Sequence, residues 1–121
     1  MTEQTDIAQH ADRLRQNLAK CEVPEHCREG FVGYVIEGAP IGSFLTAIFE
    51  NNLVDAACGA DDVNLRSLRA YAMALYYYCP SRGSGCWGSQ EDVRGWQALG
   101  GLRGLLQREE ASMSSAAKGE G

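Results

Sequence analysis

Two glycine- and serine-rich turns limit what this chain can fold into more than any other feature of the sequence. The first is Gly38-Ala39-Pro40-Ile41-Gly42-Ser43-Phe44, and the second runs from Pro80 to Ser89. Glycine and proline end helices and serine caps new ones, so each turn separates one predicted helix from the next. The first N–H groups of a helix have no partner inside it. Each turn is therefore either a plain connection or part of a surface that binds an anion or a partner.

Apolar residues at helical spacing predict five main helices. These helices begin near Asp6, Pro24, Gly42, Asp61 and Ser89. The third has a bent extension over residues 53–58, and a short helix after Gly100-Gly101 ends near residue 110. We expect an all-α fold, a compact bundle of about five helices with short Gly/Pro/Ser-rich connections, forming one domain over residues 1–110. Residues 111–121 are mostly Ser, Ala, Gly and charged side chains, which predicts a disordered tail.

The predicted helices differ in how they should pack. The third is apolar on most of its circumference over residues 44–49, so we expect it at the centre of the bundle. The buried stripe of the fourth should consist of Leu65, Leu68, Ala72, Leu75 and Cys79. This helix ends in Tyr76-Tyr77-Tyr78. Three consecutive side chains cannot share one helix face, so at least one phenol must meet solvent or a partner.

The charge is uneven along the chain. Residues 1–60 hold nine acidic and four basic side chains and carry the whole net formal charge of −5. Binding to phosphates needs clustered Lys and Arg, so we expect no direct contact with nucleic acid. The acids Glu25, Glu29 and Glu37 make either a solvated face or a docking face for a basic protein surface. The polar start and the lack of a long apolar run predict a cytoplasmic protein with no membrane contact.

The cysteines and histidines argue against catalysis and metal binding. Five cysteines in a chain without a secretory signal do not make a disulfide framework, although pairing of Cys79 with Cys86 stays open. Their spacings do not match zinc motifs, so we expect no metal and no cofactor. A catalytic thiol at Cys86 would need a nearby His, and His10 and His26 are far away in sequence. We therefore predict that the chain is not an enzyme.

The helix starts are candidate sites for an anionic ligand. Gly42 and Ser43 open the third predicted helix and Ser89 opens the fifth, where N–H groups can meet a phosphate. Arg82 could pair with that phosphate, and the Trp87 ring could stack on a base. No phosphate-loop motif accompanies them.

Large side chains around the second turn make a different candidate, a protein interface. They belong to residue types that anchor interfaces: Tyr77, Tyr78, Arg82, Trp87 and Arg94. The alternative for Trp87 is that its ring closes the end of the helical core.

A resemblance to a known group of proteins covers residues 24–97. The residues that carry it are Pro40-x-Gly42-Ser43-Phe44-Leu45-x-Ala47, Asn52-Leu53-x-x-Ala56, Ala60-Asp61, and Tyr76…Pro80-Ser81…Cys86-Trp87-Gly88-Ser89-x-x-x-Val93-x-x-Trp96. In these segments the chain resembles a family of small helical accessory proteins of phages and prophages. The family has no secure biochemical role, so the resemblance assigns no catalytic or binding residue. It implies an accessory protein of a mobile element.

Two functional hypotheses follow from the residues and the resemblance together. The first is a non-catalytic counter-defence inhibitor, similar in manner to an anti-CRISPR protein, that docks on a bacterial host protein or defence complex. The second is a protein that sequesters a nucleotide or another anion at helix N-termini. A helical domain of this size has a thin core, which also favours a homo-oligomer.

Overall fold

The computed structural model describes residues 2–80 and 85–120, and side chains within 7–80 and 85–111. Throughout those residues the regular structure is helical, which confirms the predicted all-α class. The eight helices of the described residues are α1 (Thr2–Lys20), α2 (Glu25–Glu37), α3 (Ser43–Phe49), α4 (Leu53–Gly59), α5 (Asp62–Arg66), α6 (Leu68–Tyr78), α7 (Gln90–Leu99) and α8 (Gly101–Glu120).

Helix α2 lies at the centre of the fold. It packs against both α1 and α8, and its residues 31, 32 and 34–36 are buried. Because residues 31–36 are buried or half-buried on every side of the helix, the apolar side chains of this part do not form one stripe. The expectation that α3 is central was wrong, since α3 packs mainly on α4 and α6.

Most of the predicted helix ends are confirmed by their capping groups. The Asp61 carboxylate and the Ser89 hydroxyl each accept a hydrogen bond from a backbone N–H three residues later, at 2.7 and 3.1 Å. Gly38 and Gly100 end α2 and α7 in the left-handed conformation, with φ of 69° and 95°. These contacts satisfy helix-end groups that would otherwise have no partner.

The fourth predicted helix is divided at Ser67 into α5 and α6. The division changes which side chains face the core: Asn64, Tyr71 and Ala74 are buried, whereas Leu65 and Ala72 are exposed. The buried phenol of Tyr71 donates a hydrogen bond of 2.7 Å to the Asn64 side-chain oxygen. The predicted stripe was therefore wrong at Leu65 and Ala72, where a satisfied polar pair takes the buried positions. It was right at Leu75, which is buried, and Leu68 and Cys79 also pack against the core.

The last helix is longer than the sequence predicts. Helix α8 continues to Glu120, over the stretch for which we expected a disordered tail. Six of the ten residues from 111 to 120 are alanine, methionine, lysine or glutamate, which have high helix propensity, and the other four are serine and glycine. Helical backbone at 111–120 therefore needs no apolar face.

The start of α8 meets the end of α2 through glycine backbone. A Cβ built on Gly38 would lie 2.9 Å from the Gly101 nitrogen, and one on Gly101 would lie 2.6 Å from the Glu37 nitrogen. Both distances are too short for a side chain, so only glycine allows this approach. The Trp96 indole N–H strengthens the same junction by donating to the carbonyl oxygens of Tyr34 and Val35, at 3.1 Å each.

The turn after α1 contains a residue that is poorly suited to its backbone conformation. Glu22 has a φ of 68°, and the N–H of Val23 donates to the Leu18 carbonyl oxygen at 3.0 Å, a pattern in which glycine usually holds the left-handed position. Because a side chain disfavours this conformation, Glu22→Gly should raise the free energy of unfolding by about 0.5–1 kcal/mol. Urea denaturation measures the change. Asn51→Gly is the control, since Asn51 has a φ of 63° but asparagine tolerates it, and a gain as large there would contradict the explanation.

Candidate binding site

The second glycine-rich turn is attached to the core through its described residues 85–89. The Tyr34 hydroxyl donates a hydrogen bond of 2.6 Å to the Cys86 carbonyl oxygen. The Gly88 N–H donates to the Phe49 carbonyl oxygen at 2.8 Å. Gly85 and Gly88 have φ of 92° and 133°, which side chains rarely adopt. These glycines therefore shape a structural connection, whose Tyr34 partner lies too far away in sequence for a local pattern to indicate.

The predicted binding residues near this turn have different surroundings. Trp87 is half-buried against the core, with its indole nitrogen buried and lacking a hydrogen-bond partner among the described residues. The Ser89 hydroxyl is occupied in capping α7. Arg94 is exposed, and Arg82 lies outside the described residues. The half-buried ring of Trp87 agrees with its alternative interpretation as a plug at the end of the core.

The two glycine-rich helix starts do not meet at one place. Gly42 and Ser43 lie at the beginning of α3, whereas Gly88 contacts Phe49 at its end. Seven helical residues separate these points by about 10 Å. The structure therefore does not place the N–H groups of both turns around a single phosphate.

Two of the three tyrosines at the end of α6 project from the protein surface. The side chains of Tyr76 and Tyr77 are 74% and 64% exposed, and Tyr78 is half-buried. The expectation that at least one phenol meets solvent or a partner is therefore confirmed. The rings of Tyr76 and Tyr77 make an edge contact, with centroids 4.9 Å apart. Two exposed aromatic rings on one helix end are a typical anchor for a partner.

Tyr77 and Tyr78 line an open cavity of about 310 Å³ where α1, α2, α6 and α8 meet. We call it the tyrosine cavity. Its lining consists of His10, Leu14, Val35, Ile36, Tyr77, Tyr78, Cys79, Pro80 and Leu102. The lining is mainly apolar, with two phenols and one imidazole as its polar groups. The sequence names Tyr77 and Tyr78 as candidate binding residues, but it does not predict the cavity, because the cavity walls come from four separate helices.

The predicted acidic docking face is partly neutralised within the chain. The Glu29 carboxylate accepts two hydrogen bonds from Arg15, at 2.9 and 3.2 Å. The Glu37 carboxylate lies 3.4 Å from the Arg103 guanidinium. Glu25 is exposed in the first turn of α2, where the helix dipole favours a negative charge. Two of the three acids therefore have basic partners before any other protein approaches.

The buried thiols are poorly suited to nucleophilic chemistry. Burial raises the pKa of the Cys86 thiol to about 12. Burial, with the nearby Cys86 thiol adding to it, raises the pKa of Cys79 well above its usual value. A nucleophilic cysteine needs the opposite shift. Within the described ranges, no three His, Cys, Asp or Glu side chains form a group that could hold a metal ion.

Comparison with known proteins gives no family assignment. No protein-family model, no curated protein and no solved structure matches the chain. The resemblance of residues 24–97 to small phage proteins therefore stays a prediction. Among the described residues, no helix is both long enough and apolar enough to cross a lipid bilayer.

The hydrogen bond between Tyr34 and Cys86 gives a stability prediction. Tyr34→Phe removes the phenol that donates to the Cys86 carbonyl oxygen. The free energy of unfolding should therefore fall by about 1–2 kcal/mol. Chemical denaturation measures the loss. Tyr76→Phe is the matched control, because that phenol is exposed and its removal should change stability little. Equal losses in the two variants would rule out the buried hydrogen bond as the cause.

The thiol pKa values predict selective labelling. At pH 8 a thiol reagent should modify the exposed Cys58 at least about 100-fold faster than Cys86, since the reactive thiolate is scarce at a buried thiol. Mass spectrometry of labelled peptides gives both rates, and urea should make them equal.

The raised pKa of Cys86 also makes the free energy of unfolding depend on pH. The unfolded Cys86 thiol loses its proton near its ordinary pKa, whereas the folded thiol holds it to about pH 12. The free energy of unfolding should therefore fall as the pH rises through that interval. A flat profile, or fast labelling of folded Cys86, would contradict the burial argument.

Proposed function

We propose that this chain is a non-catalytic binding protein that docks one protein partner at the tyrosine cavity. The observation that carries the proposal is Tyr77, whose ring is 64% exposed while it lines an open apolar cavity. Exposed aromatic rings beside a cavity are typical of the residues that dominate interface energies. A partner that covers Tyr77 removes apolar surface from water.

The chemistry of the cavity favours an apolar anchor with a polar end. Leu14, Val35, Ile36 and Leu102 form its apolar walls. The phenols and the His10 imidazole can exchange hydrogen bonds with backbone groups of a bound segment. A volume of about 310 Å³ suits one or two inserted side chains of a protein partner.

The state of the thiols and serines supports a role without covalent chemistry. The buried Cys86 thiol stays protonated, and the Ser89 hydroxyl accepts the hydrogen bond that caps α7. Neither group is activated as a nucleophile. The proposal therefore rests on contact between surfaces.

The resemblance to small phage and prophage proteins indicates the class of partner. We propose a protein of a bacterial defence system, which this chain would inhibit by occupying its surface. Such inhibition needs a stable, specific complex and no turnover, which agrees with the tyrosine cavity as a docking point.

The test is affinity capture from a bacterial host, followed by binding measurements with the purified captured protein. Tyr77→Ala should weaken the binary complex at least about tenfold, because an interface aromatic often contributes more than 1 kcal/mol. Calorimetry or biolayer interferometry provides the affinities. The captured protein's own activity should fall when the wild-type chain is added.

Tyr76→Ala is the matched control for this experiment. It removes an equally exposed phenol that does not line the cavity, so binding should weaken much less. Equal losses would move the contact away from the cavity. Failure to recover any partner other than the chain itself would count against the function.

A further inference from the structure

Exposed basic side chains lie on α1 and α6 next to the tyrosine cavity. They are Arg13 and Lys20 of α1 and Arg69 of α6, and we call these three residues the basic strip. None of the three makes an ion pair or a side-chain hydrogen bond with another described residue. Their charges are therefore available to a partner.

Helices α1 and α6 lie side by side and run in opposite directions. The Cys21 sulfur, just after α1, is 3.8 Å from the carbonyl oxygen of Ala70 near the start of α6. His10, in the first half of α1, lines the tyrosine cavity together with Tyr77 and Tyr78 at the end of α6. The two helices therefore form one continuous surface that leads away from the cavity.

The basic strip occupies the sides of these helices that carry the cavity residues. Arg13 comes three residues after His10, and Lys20 comes seven residues after Arg13. On α6, Arg69 comes eight residues before Tyr77. Residues three, seven or eight positions apart lie on one side of a helix. A partner segment that leaves the cavity along α1 and α6 therefore meets all three cations.

The acidic side chains of the two helices do not neutralise the strip. Helix α6 contains no acidic residue. Among the described side chains of α1 the only acid is Asp12, which accepts a hydrogen bond of 2.9 Å from Arg15. Arg15 also bonds Glu29 of α2, so this group lies on the α2 side of α1. Glu22, in the turn after α1, forms no ion pair with the strip.

Three available cations beside an apolar cavity select a partner segment with carboxylates. Complementary charge speeds association and disfavours a partner of the wrong sign. The chain as a whole carries a charge of −5. At physiological salt, however, exposed charges more than about 8 Å apart are largely screened, so the nearby cations decide the preference.

The opposite arrangement, a basic partner on the acidic face of α2, has less support from the contacts. Arg15 already bonds the Glu29 carboxylate, and Arg103 lies 3.4 Å from the Glu37 carboxylate. A basic partner would have to displace both guanidinium groups before it gained any ion pair there. The basic strip requires no such exchange.

The apolar walls of the cavity favour an acidic protein segment over a nucleic acid. A nucleic acid carries a phosphate at every nucleotide, and tight binding needs many phosphate contacts. Only three cations belong to the strip. An acidic segment needs only a few carboxylates, and it also supplies the apolar side chain that the cavity can bury.

We propose that the tyrosine cavity and the basic strip together bind an acidic segment of the partner. One apolar side chain of the segment fills the cavity, and neighbouring Asp or Glu carboxylates pair with Arg13, Lys20 and Arg69. The inference rests on the proposed function, because it uses the same cavity, and it adds the chemical class of the partner.

Fluorescence anisotropy with three labelled peptides tests the proposal on the full chain. Each peptide has the same apolar centre of leucine and phenylalanine, flanked by glutamate, glutamine or lysine. At low salt the glutamate peptide should bind about tenfold more tightly than the glutamine peptide, because each of three exposed ion pairs adds a modest gain. The lysine peptide should bind most weakly. High salt should remove most of these differences.

Reversing the charges of the strip should reverse the preference. A chain with both Arg13→Glu and Arg69→Glu should bind the lysine peptide at least about fivefold more tightly than the wild-type chain does. The matched control carries Arg94→Glu and Arg108→Glu, which change the net charge equally at exposed residues that do not line the cavity. The control should keep the preference for glutamate. Circular dichroism checks that both variants are folded.

Tyr77→Ala separates failure of this inference from failure of the proposed function. If the three peptides bind equally at low salt and Tyr77→Ala weakens all of them, the cavity is the contact but the inference about charge is wrong. If Tyr77→Ala leaves the binding of the glutamate peptide unchanged, the cavity is not the contact and both proposals are wrong.

Two further results would overturn the proposal. One is a glutamate peptide that does not bind the wild-type chain at millimolar concentration. The other is a labelled oligothymidylate that binds more tightly than the glutamate peptide and is released by the reversal of Arg13 and Arg69, since the strip would then bind nucleic acid.

Discussion

The rest of the structure depends on the partners that the last turn of α2 finds for its backbone carbonyl groups. The final carbonyl groups of a helix have no partner within it. Here the Trp96 indole N–H reaches the carbonyl oxygens of Tyr34 and Val35, while Gly38 and Gly101 let the backbones of α2 and α8 touch. One indole therefore fixes α7 against α2, and the glycine contact fixes α8. The tyrosine cavity exists because this junction brings α8 beside α2.

The same turn of α2 also holds the connection between α6 and α7. The Tyr34 ring packs on Phe49 with centroids 4.2 Å apart, and its hydroxyl binds the Cys86 carbonyl. Gly88 in turn binds the Phe49 carbonyl. The described part of this segment, residues 85–89, therefore connects the end of α3 to the start of α7. Gly85 and Gly88 serve the backbone conformation there, and the exposed aromatic residues of the described part of the chain lie on α6 instead.

Prediction from sequence succeeded where the deciding interactions are local. The caps at Asp61 and Ser89 involve residues three positions apart, and the exposure of at least one phenol follows from three adjacent tyrosines on one helix. The buried face of α6 could not be predicted in this way. It depends on the Asn64 side chain as a partner for Tyr71 and on Phe44, whose ring meets Tyr71 at 5.2 Å. The tyrosine cavity could not be predicted from the sequence either, because no local pattern brings four helices to one place.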